Sequence, residues 1–314
     1  MNYHGNISLS LRWTLLCIVV LASAAFSQPL TERYSAFGEM FVPQFSSAPF
    51  PHPLRANGRV YGGKTYPAAE HYSDSSVAIF IPKGFTPGKS VDIVVYFHGW
   101  NNNIDSACAQ FALIEQFAGS KKNAVFVFPE GPKDSPDSFG GRMEEQDGLK
   151  NLIADVLRYL KEKKKISHLT PGNIVLAGHS GAYHVISYCV LRGGVTKKIS
   201  DVILFDALYG ETEKFSYWLD HAKGRFVDIY TDSGGTKWES ENLMSCLDAW
   251  KIPYVQKEEH DITPGLLTSN RIVFIHSDLT HNEVVGTRKQ FQLFLSTSKL
   301  HPLGKMSKIA RGTK

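Results

Sequence analysis

Seven short runs of apolar and β-branched residues recur between residues 77 and 275, and longer amphipathic stretches separate most of them. Strands that are apolar on both faces are typical of parallel sheets with helices on both sides. The pattern therefore predicts βα units in an α/β fold with a mostly parallel sheet. The predicted strands are residues 77–81, 91–97, 124–128, 173–177, 201–205, 226–230 and 271–275.

The clearest predicted helix runs from about Glu144 to Lys163. Its apolar residues recur at helical spacing and form one stripe: Leu149, Leu152, Ile153, Val156, Leu157 and Leu160. Acidic residues at its start and lysines at its end complement the helix dipole. The lysine cluster is therefore interpreted as a solvated helix end. The charged residues are Glu144, Glu145, Asp147, Lys161, Lys163, Lys164 and Lys165.

The composition is that of an ordinary globular protein. Of 314 residues, 43% are hydrophobic and 20% are charged, which excludes a disordered chain and suffices for a sizeable core. The net charge of +4 is too small and too scattered to indicate a nucleic-acid partner. No glycine-rich phosphate-binding motif follows a strand, and no histidines have metalloprotease spacing.

The N-terminus has the pattern of a signal peptide, predicted over residues 1–27. Arg12 precedes an apolar run over residues 13–22, which is too short to span a bilayer and gives way to small residues. Cleavage is expected before Gln28 or before Ala25, so the protein would be secreted or periplasmic. The alternatives are a buried N-terminal helix and an uncleaved membrane anchor.

The rest of the chain divides into three predicted segments. Residues 28–74 are rich in proline, serine and phenylalanine and are expected to form an extended arm without regular structure. Residues 75–298 are expected to form the α/β domain, and residues 299–314 a frayed basic tail. Beyond the signal peptide, Cys108, Cys189 and Cys246 allow at most one disulfide bond.

A candidate nucleophile follows the predicted strand 173–177. The sequence Gly178-His179-Ser180-Gly181-Ala182 places a serine between small residues, where a strand would turn sharply into a helix. A serine in a strained backbone needs small neighbours two residues away on each side, so that strand and helix can pack around it. The alternative is an ordinary turn with a helix-capping serine.

A candidate oxyanion loop follows the predicted strand 91–97. It begins His98-Gly99-Trp100 and lies upstream of the serine turn. An oxyanion needs two backbone donors, and the predicted pair is the N–H of Gly181 and the N–H of Trp100. His98 is interpreted as a residue that braces the loop, not as a base.

A base and an acid follow later strands. His281 comes after the last predicted strand and after Ser180 in the chain, which makes it the preferred base over His276. Asp206 and Asp232 each stand at the end of a predicted strand, and either could orient the histidine. Asp206 is preferred because it ends its apolar run most cleanly, while Asp232 is followed by a turn sequence.

Together, these residues resemble the α/β-hydrolase superfamily, in particular secreted bacterial esterase or lipase-like proteins, over roughly residues 75 to 296. The order of serine, acid and histidine is that of the superfamily. The resemblance implies a single-domain α/β-hydrolase fold, a Ser180 nucleophile, a His281 base, an Asp206 or Asp232 acid, and no cofactor. The sequence departs from the motif at Ala182, where the motif has glycine.

The leading functional hypothesis is a secreted serine hydrolase that acts on small-molecule or polymeric carboxylic esters. The alternatives are a serine peptidase or amidase with the same residues, and an inactive binding protein of the same fold. Three aromatic residues close to the candidate site are expected to contact substrate: Trp100, Tyr183 and Tyr209. No nucleic acid, no metal and no membrane span after signal cleavage is expected.

Overall fold

The computed structural model describes residues 28–304. The predicted signal peptide and residues 305–314 of the predicted basic tail lie outside this range. Within it, none of the helices is long and apolar enough to cross a membrane. All three cysteines beyond residue 27 have free thiols, so the disulfide that the sequence allowed does not form among them.

A nine-stranded sheet organises the molecule in the order β1-β4-β6-β5-β7-β8-β9-β11-β10, and strands β2 and β3 form a separate hairpin. Strand β4 is antiparallel to both of its neighbours. The other strands of the sheet, apart from β1, are mutually parallel: β6, β5, β7, β8, β9, β11 and β10. The strands are β1 Gly38–Phe41, β2 Arg59–Tyr61, β3 Lys64–Tyr66, β4 Val77–Pro82, β5 Val91–Phe97, β6 Ala124–Pro129, β7 Pro171–His179, β8 Ile199–Phe205, β9 Arg225–Thr231, β10 Val255–Glu258 and β11 Ile272–Ser277.

Helices cover both faces of the sheet, and each face has its own apolar core. In β5, for example, Ile93 and Val95 face one core while Val94 and Tyr96 face the other. Helices α5 to α8 pack on the first face, and α3, α4, α9 and α10 on the second. The helices are α1 Leu30–Arg33, α2 Ala68–His71, α3 Ile104–Gln110, α4 Leu113–Gly119, α5 Gly148–Glu162, α6 Tyr183–Arg192, α7 Thr212–His221, α8 Lys237–Ala249, α9 Pro264–Ser269 and α10 Gln290–Ser296.

All seven predicted strands are present, with ends that shift by up to two residues. The two edge strands, β1 and β10, were not predicted. Each has only four residues, and most of them are partly or fully exposed, so neither strand has a continuous apolar run. An edge strand bonds to only one neighbour, and its pattern is correspondingly weak.

The predicted start of the long helix is wrong by four residues. Helix α5 begins at Gly148, after Asp147 in a left-handed conformation with φ of 62°. Glu144 ends a short 3₁₀ turn, where its buried carboxylate accepts a hydrogen bond from the Gly140 N–H and contacts His184. Glu144 therefore binds neighbouring groups and does not lie in the first turn of the helix.

The terminal segments are more ordered than predicted. Strand β1, helices α1 and α2 and the β2–β3 hairpin all lie in residues 28–74, so the sheet begins before residue 75. At the other end, residues 299–304 pack against the domain. Leu300 is buried, the His301 N–H donates to Asp92, and the Leu303 N–H donates to the Lys121 carbonyl.

Candidate active site

Ser180 stands on a strained turn between β7 and α6. Its φ of +57° lies in the left-handed region, which is costly for a residue with a side chain. A Cβ at Gly178 would lie 2.5 Å from the Cβ of Ala182, so glycine is required there. Because Gly178 leaves this space open, the methyl group of Ala182 fits, and the departure from the motif does not distort the turn.

The strand register brings the candidate residues together. Phe97 pairs with Gly178, and His179 pairs with Phe205, so the residues that follow β5, β7 and β8 meet at one edge. The strand order reverses between β5 and β7, and in open parallel sheets ligands bind at such a point, at the carboxyl ends of the strands.

The loop after β5 packs directly against the serine turn. A Cβ at Gly99 would lie 2.6 Å from the Cβ of Ser180, so only glycine allows this approach. Buried His98 holds the loop: its Nδ1 lies 2.7 Å from the Gly99 carbonyl oxygen and its Nε2 lies 3.0 Å from Oε1 of Glu130. Burial lowers the pKa of His98, but Glu130 and the Gly99 carbonyl outweigh burial, and the net shift is upward.

Asp206 binds His281. Oδ2 of Asp206 lies 2.6 Å from Nδ1 of His281, and the carboxylate is completely buried. It also accepts hydrogen bonds from the Thr231 N–H at 3.0 Å, from the Thr231 hydroxyl at 2.8 Å and from the Thr236 hydroxyl. A Cβ at Gly234 would lie 1.6 Å from Oδ2, so glycine makes room for the carboxylate.

The hydrogen bonds keep Asp206 ionised. Burial alone would raise its pKa, but the hydrogen bonds from His281, Thr236 and Thr231 outweigh burial and lower the pKa below its ordinary value. An ionised carboxylate only accepts hydrogen bonds, so Nδ1 of His281 carries the proton and donates it. Nε2 of neutral His281 is then an acceptor, which is the tautomer that a general base requires.

A cavity of about 400 Å³ opens at Ser180. It is lined by Trp100, Ser138, Ser180, Gly181, Tyr183 and Tyr209. The Nε1–H of Trp100 donates to the Ser138 hydroxyl at 2.7 Å. The Tyr209 hydroxyl donates to the Gly234 carbonyl at 2.5 Å, and its ring lies 6.2 Å from that of His281. Burial and the nearby Asp206 raise the pKa of Tyr209, and the neighbouring Ser180 side chain opposes this shift.

Comparison with protein-family models and with curated proteins finds no match. Solved structures do match. A feruloyl esterase module from Clostridium thermocellum, solved with sinapinate, is 13% identical with a TM-score of 0.52, over 86% of this chain and 91% of that chain. A ferulic acid esterase is 12% identical with a TM-score of 0.50, over 83% and 98%. The chain has the α/β-hydrolase fold. The predicted fold class is therefore confirmed.

The alternative base, His276, and the alternative acid, Asp232, bind each other and not the His281–Asp206 pair. Asp232 is exposed, and its carboxylate binds Lys237 at 2.7 Å and Nε2 of His276 at 3.1 Å. Nδ1 of His276 binds Glu258 at 2.9 Å. Asp232 and His276 thus belong to a surface ion-pair cluster, and the carboxylate that binds His281 is Asp206, the preferred acid.

The candidate site also contains residues that the sequence did not reveal. Ser138 lies in a loop without periodicity, and no local signal marks it. His179 is buried, and its ring lies 4.5 Å from that of His281 and 5.0 Å from that of Phe111. Its Nε2–H donates to the His281 carbonyl at 2.8 Å, so His179 fixes the backbone of the candidate base.

Neutral His179 makes folding sensitive to acid. Burial, with a smaller contribution from His281, lowers the pKa of His179 from 6.5 to about 4. Between these pH values the unfolded chain takes up a proton at this position and the folded protein does not. The free energy of unfolding therefore decreases as the pH falls from 6.5 to 4, by about 2–3 kcal/mol in total.

We therefore expect His179→Gln, which keeps a donor but cannot titrate, to lose less stability than the wild type between pH 7 and pH 4.5. Urea unfolding at the two pH values measures the loss. The matched control is His260→Gln, because 78% of the His260 side chain is exposed. A loss equal to that of the wild type in His179→Gln would contradict this account.

Proposed function

We propose that the protein is a serine hydrolase that cleaves carboxylic esters through an acyl-enzyme. The observation that carries the proposal is that a strained turn at Ser180 lies beside a buried, ionised Asp206 that binds His281: the ring of His179, next to Ser180 in the chain, lies 4.5 Å from the His281 ring. Strain of this kind persists only where the surrounding structure holds it, and it is common at catalytic nucleophiles. The esterases of similar fold add support for the reaction class.

In the proposed mechanism, Ser180 Oγ attacks the acyl carbonyl carbon while Nε2 of His281 takes the hydroxyl proton. Ionised Asp206 stabilises the imidazolium that forms. The N–H groups of Gly181 and Trp100 bind the oxyanion. The tetrahedral intermediate then collapses, the C–O bond to the alcohol breaks, and His281 protonates the departing alkoxide.

A water molecule completes the proposed cycle. It attacks the acyl carbon and gives its proton to His281, which returns that proton to Ser180 Oγ as the acid is released. Trp100, Tyr183 and Tyr209 surround the acyl or alcohol group in the cavity. A cavity of about 400 Å³ is large enough for an aromatic group, and one of the similar esterases was solved with sinapinate.

We also propose that the protein is exported. The apolar run over residues 13–22 and the small residues after it support a cleaved signal peptide. N-terminal sequencing of protein from the cell exterior or the periplasm is expected to begin at Gln28 or Ala25. A sequence that begins at Met1 would contradict the proposal.

The reaction class is tested with p-nitrophenyl acetate and p-nitroacetanilide, which differ only in the bond to be cleaved. We expect rapid hydrolysis of the ester, with an initial burst of p-nitrophenol as the acyl-enzyme accumulates, and slow or no hydrolysis of the anilide. If the ester is not hydrolysed, the proposed function is wrong. Faster hydrolysis of the anilide would favour an amidase instead.

A further inference from the structure

The β2–β3 hairpin lies outside the main sheet, close to the cavity. Its strands are joined by Gly62 and Gly63, both in left-handed conformations with φ of 55° and 77°. An isolated two-stranded hairpin is only marginally stable, so contacts with the rest of the protein must hold it in place. It nevertheless exposes two apolar side chains, Val60 at 70% and Tyr61 at 42%.

Ion pairs fix the hairpin to the cavity wall. Arg59 in β2 binds Asp137, whose side chain is only 2% exposed. Arg55, just before the hairpin, also binds Asp137, through Nε at 2.7 Å and Nη2 at 3.2 Å. The next residue in the chain is Ser138, which lines the cavity and accepts the hydrogen bond from Trp100. A buried carboxylate thus joins the hairpin to the substrate cavity.

Tyr61 extends the aromatic surface of the cavity outward. Its ring packs edge-to-face on Trp100, with centroids 5.3 Å apart and an angle of 76° between the planes. The Arg59 guanidinium lies 5.2 Å from the centroid of the Tyr61 ring. Tyr61 does not line the cavity itself, yet Tyr61 and Trp100 remain 42% and 40% exposed. The pair therefore forms an exposed aromatic corner beside Ser180.

We propose that Tyr61 and Trp100 form an outer subsite that holds a ring of the substrate, either an aromatic ring or the apolar C–H face of a sugar, in the part of the ester that extends beyond the cavity. The subsite rests on the proposed function. Two nearly perpendicular rings can contact an aromatic ring on its face and its edge, and such contacts are favourable for π systems. A sugar would meet the same rings through the C–H groups of its apolar face. A flexible alkyl chain would lose more conformational freedom on binding, so the corner selects for rings.

Kinetic ratios test the subsite. We compare kcat/KM for 2-naphthyl acetate and for an acetylated methyl glucoside with kcat/KM for ethyl acetate, which has no ring. Tyr61→Ala is expected to lower the ratio of ring ester to ethyl acetate about three- to tenfold, mainly through KM. Tyr61→Leu, which keeps the apolar volume, should lower it as well, and Tyr61→Phe should preserve it. The matched control is Val60→Ala on the same hairpin, with an unchanged ratio.

The two ring esters show whether the subsite binds an aromatic ring or a sugar ring. A fall for the naphthyl ester alone indicates aromatic substrates, and a fall for the glucoside alone indicates sugars. Trp100→Ala should lower the same ratio. If Tyr61→Ala lowers kcat/KM equally for all three esters, or for none, the subsite is overturned.

A binding experiment separates the subsite from the proposed function. Calorimetry measures the Kd of 2-naphthyl acetate for Ser180→Ala and for the double variant with Tyr61→Ala. A Kd about three- to tenfold higher in the double variant supports the subsite even if the wild type hydrolyses no ester. Equal Kd values overturn the subsite even if the wild type is an esterase.

Discussion

Ser180→Ala is expected to lower kcat for p-nitrophenyl acetate by about 10⁴-fold or more. Alanine cannot form the acyl-enzyme, and the remaining activity would come from the oxyanion donors and binding alone. Because alanine meets the same cost as serine at a φ of +57°, the turn and the fold should persist. Steady-state kinetics measure the effect, and circular dichroism checks the fold.

Ser138→Ala is the matched control for this prediction. Ser138 is a second serine in the same cavity, but it accepts a hydrogen bond from Trp100 and does not stand on the strained turn that follows β7. We expect it to reduce activity far less than Ser180→Ala, within about tenfold of the wild type. Comparable losses in the two variants, or wild-type activity in Ser180→Ala, would contradict the assignment of the nucleophile.

Asp206→Asn is expected to lower kcat by about 10⁴-fold, as in other triads in which the acid becomes an amide. The Thr231 N–H needs an acceptor at the Oδ1 position, so the amide oxygen of Asn takes that place and the NH2 group faces Nδ1 of His281. Nδ1 must then accept, the proton moves to Nε2, and Nε2 no longer serves as the acceptor. Asp232→Asn is the matched control, because Asp232 is exposed and binds Lys237 and His276 instead. That variant should remain within about twofold of the wild type, as surface ion pairs contribute little.

The two aspartate variants must be compared under conditions where both are folded, because buried Asp206 also binds Thr231 and Thr236. Small and equal losses in both variants would argue against any triad. A large loss at Asp232 alone would argue that the structure assigns the wrong acid.

The central strands could be predicted because strands that are buried on both faces consist mostly of apolar residues. Strands such as β5 and β8 are buried along their whole length and read as apolar runs. Edge strand β10 pairs only with β11 and has a largely exposed sequence, so no apolar pattern marks it. The start of α5 was missed because acidic residues suit a helix N-terminus but also bind neighbouring groups.

The candidate site was predictable only as far as chain order and strand ends define it. Ser180 and His281 follow strands, and the small residues on each side of Ser180 have a steric cause, so both residues could be chosen from the sequence. Asp206 and Asp232 also follow strands, and only the tertiary contacts distinguish them. His179, Ser138 and Tyr61 act through contacts with residues distant in the chain, which no local pattern records.

Labelling with a fluorophosphonate probe, followed by mass spectrometry of the tryptic peptides, tests the central claim most directly. Such probes react with a serine hydroxyl that a neighbouring base activates, and they need no knowledge of the substrate. The account predicts one phosphonyl adduct, on Ser180, with no labelling of Ser180→Ala and much slower labelling of Asp206→Asn. An unlabelled wild-type protein, or an adduct on another residue with Ser180 unmodified, would contradict it.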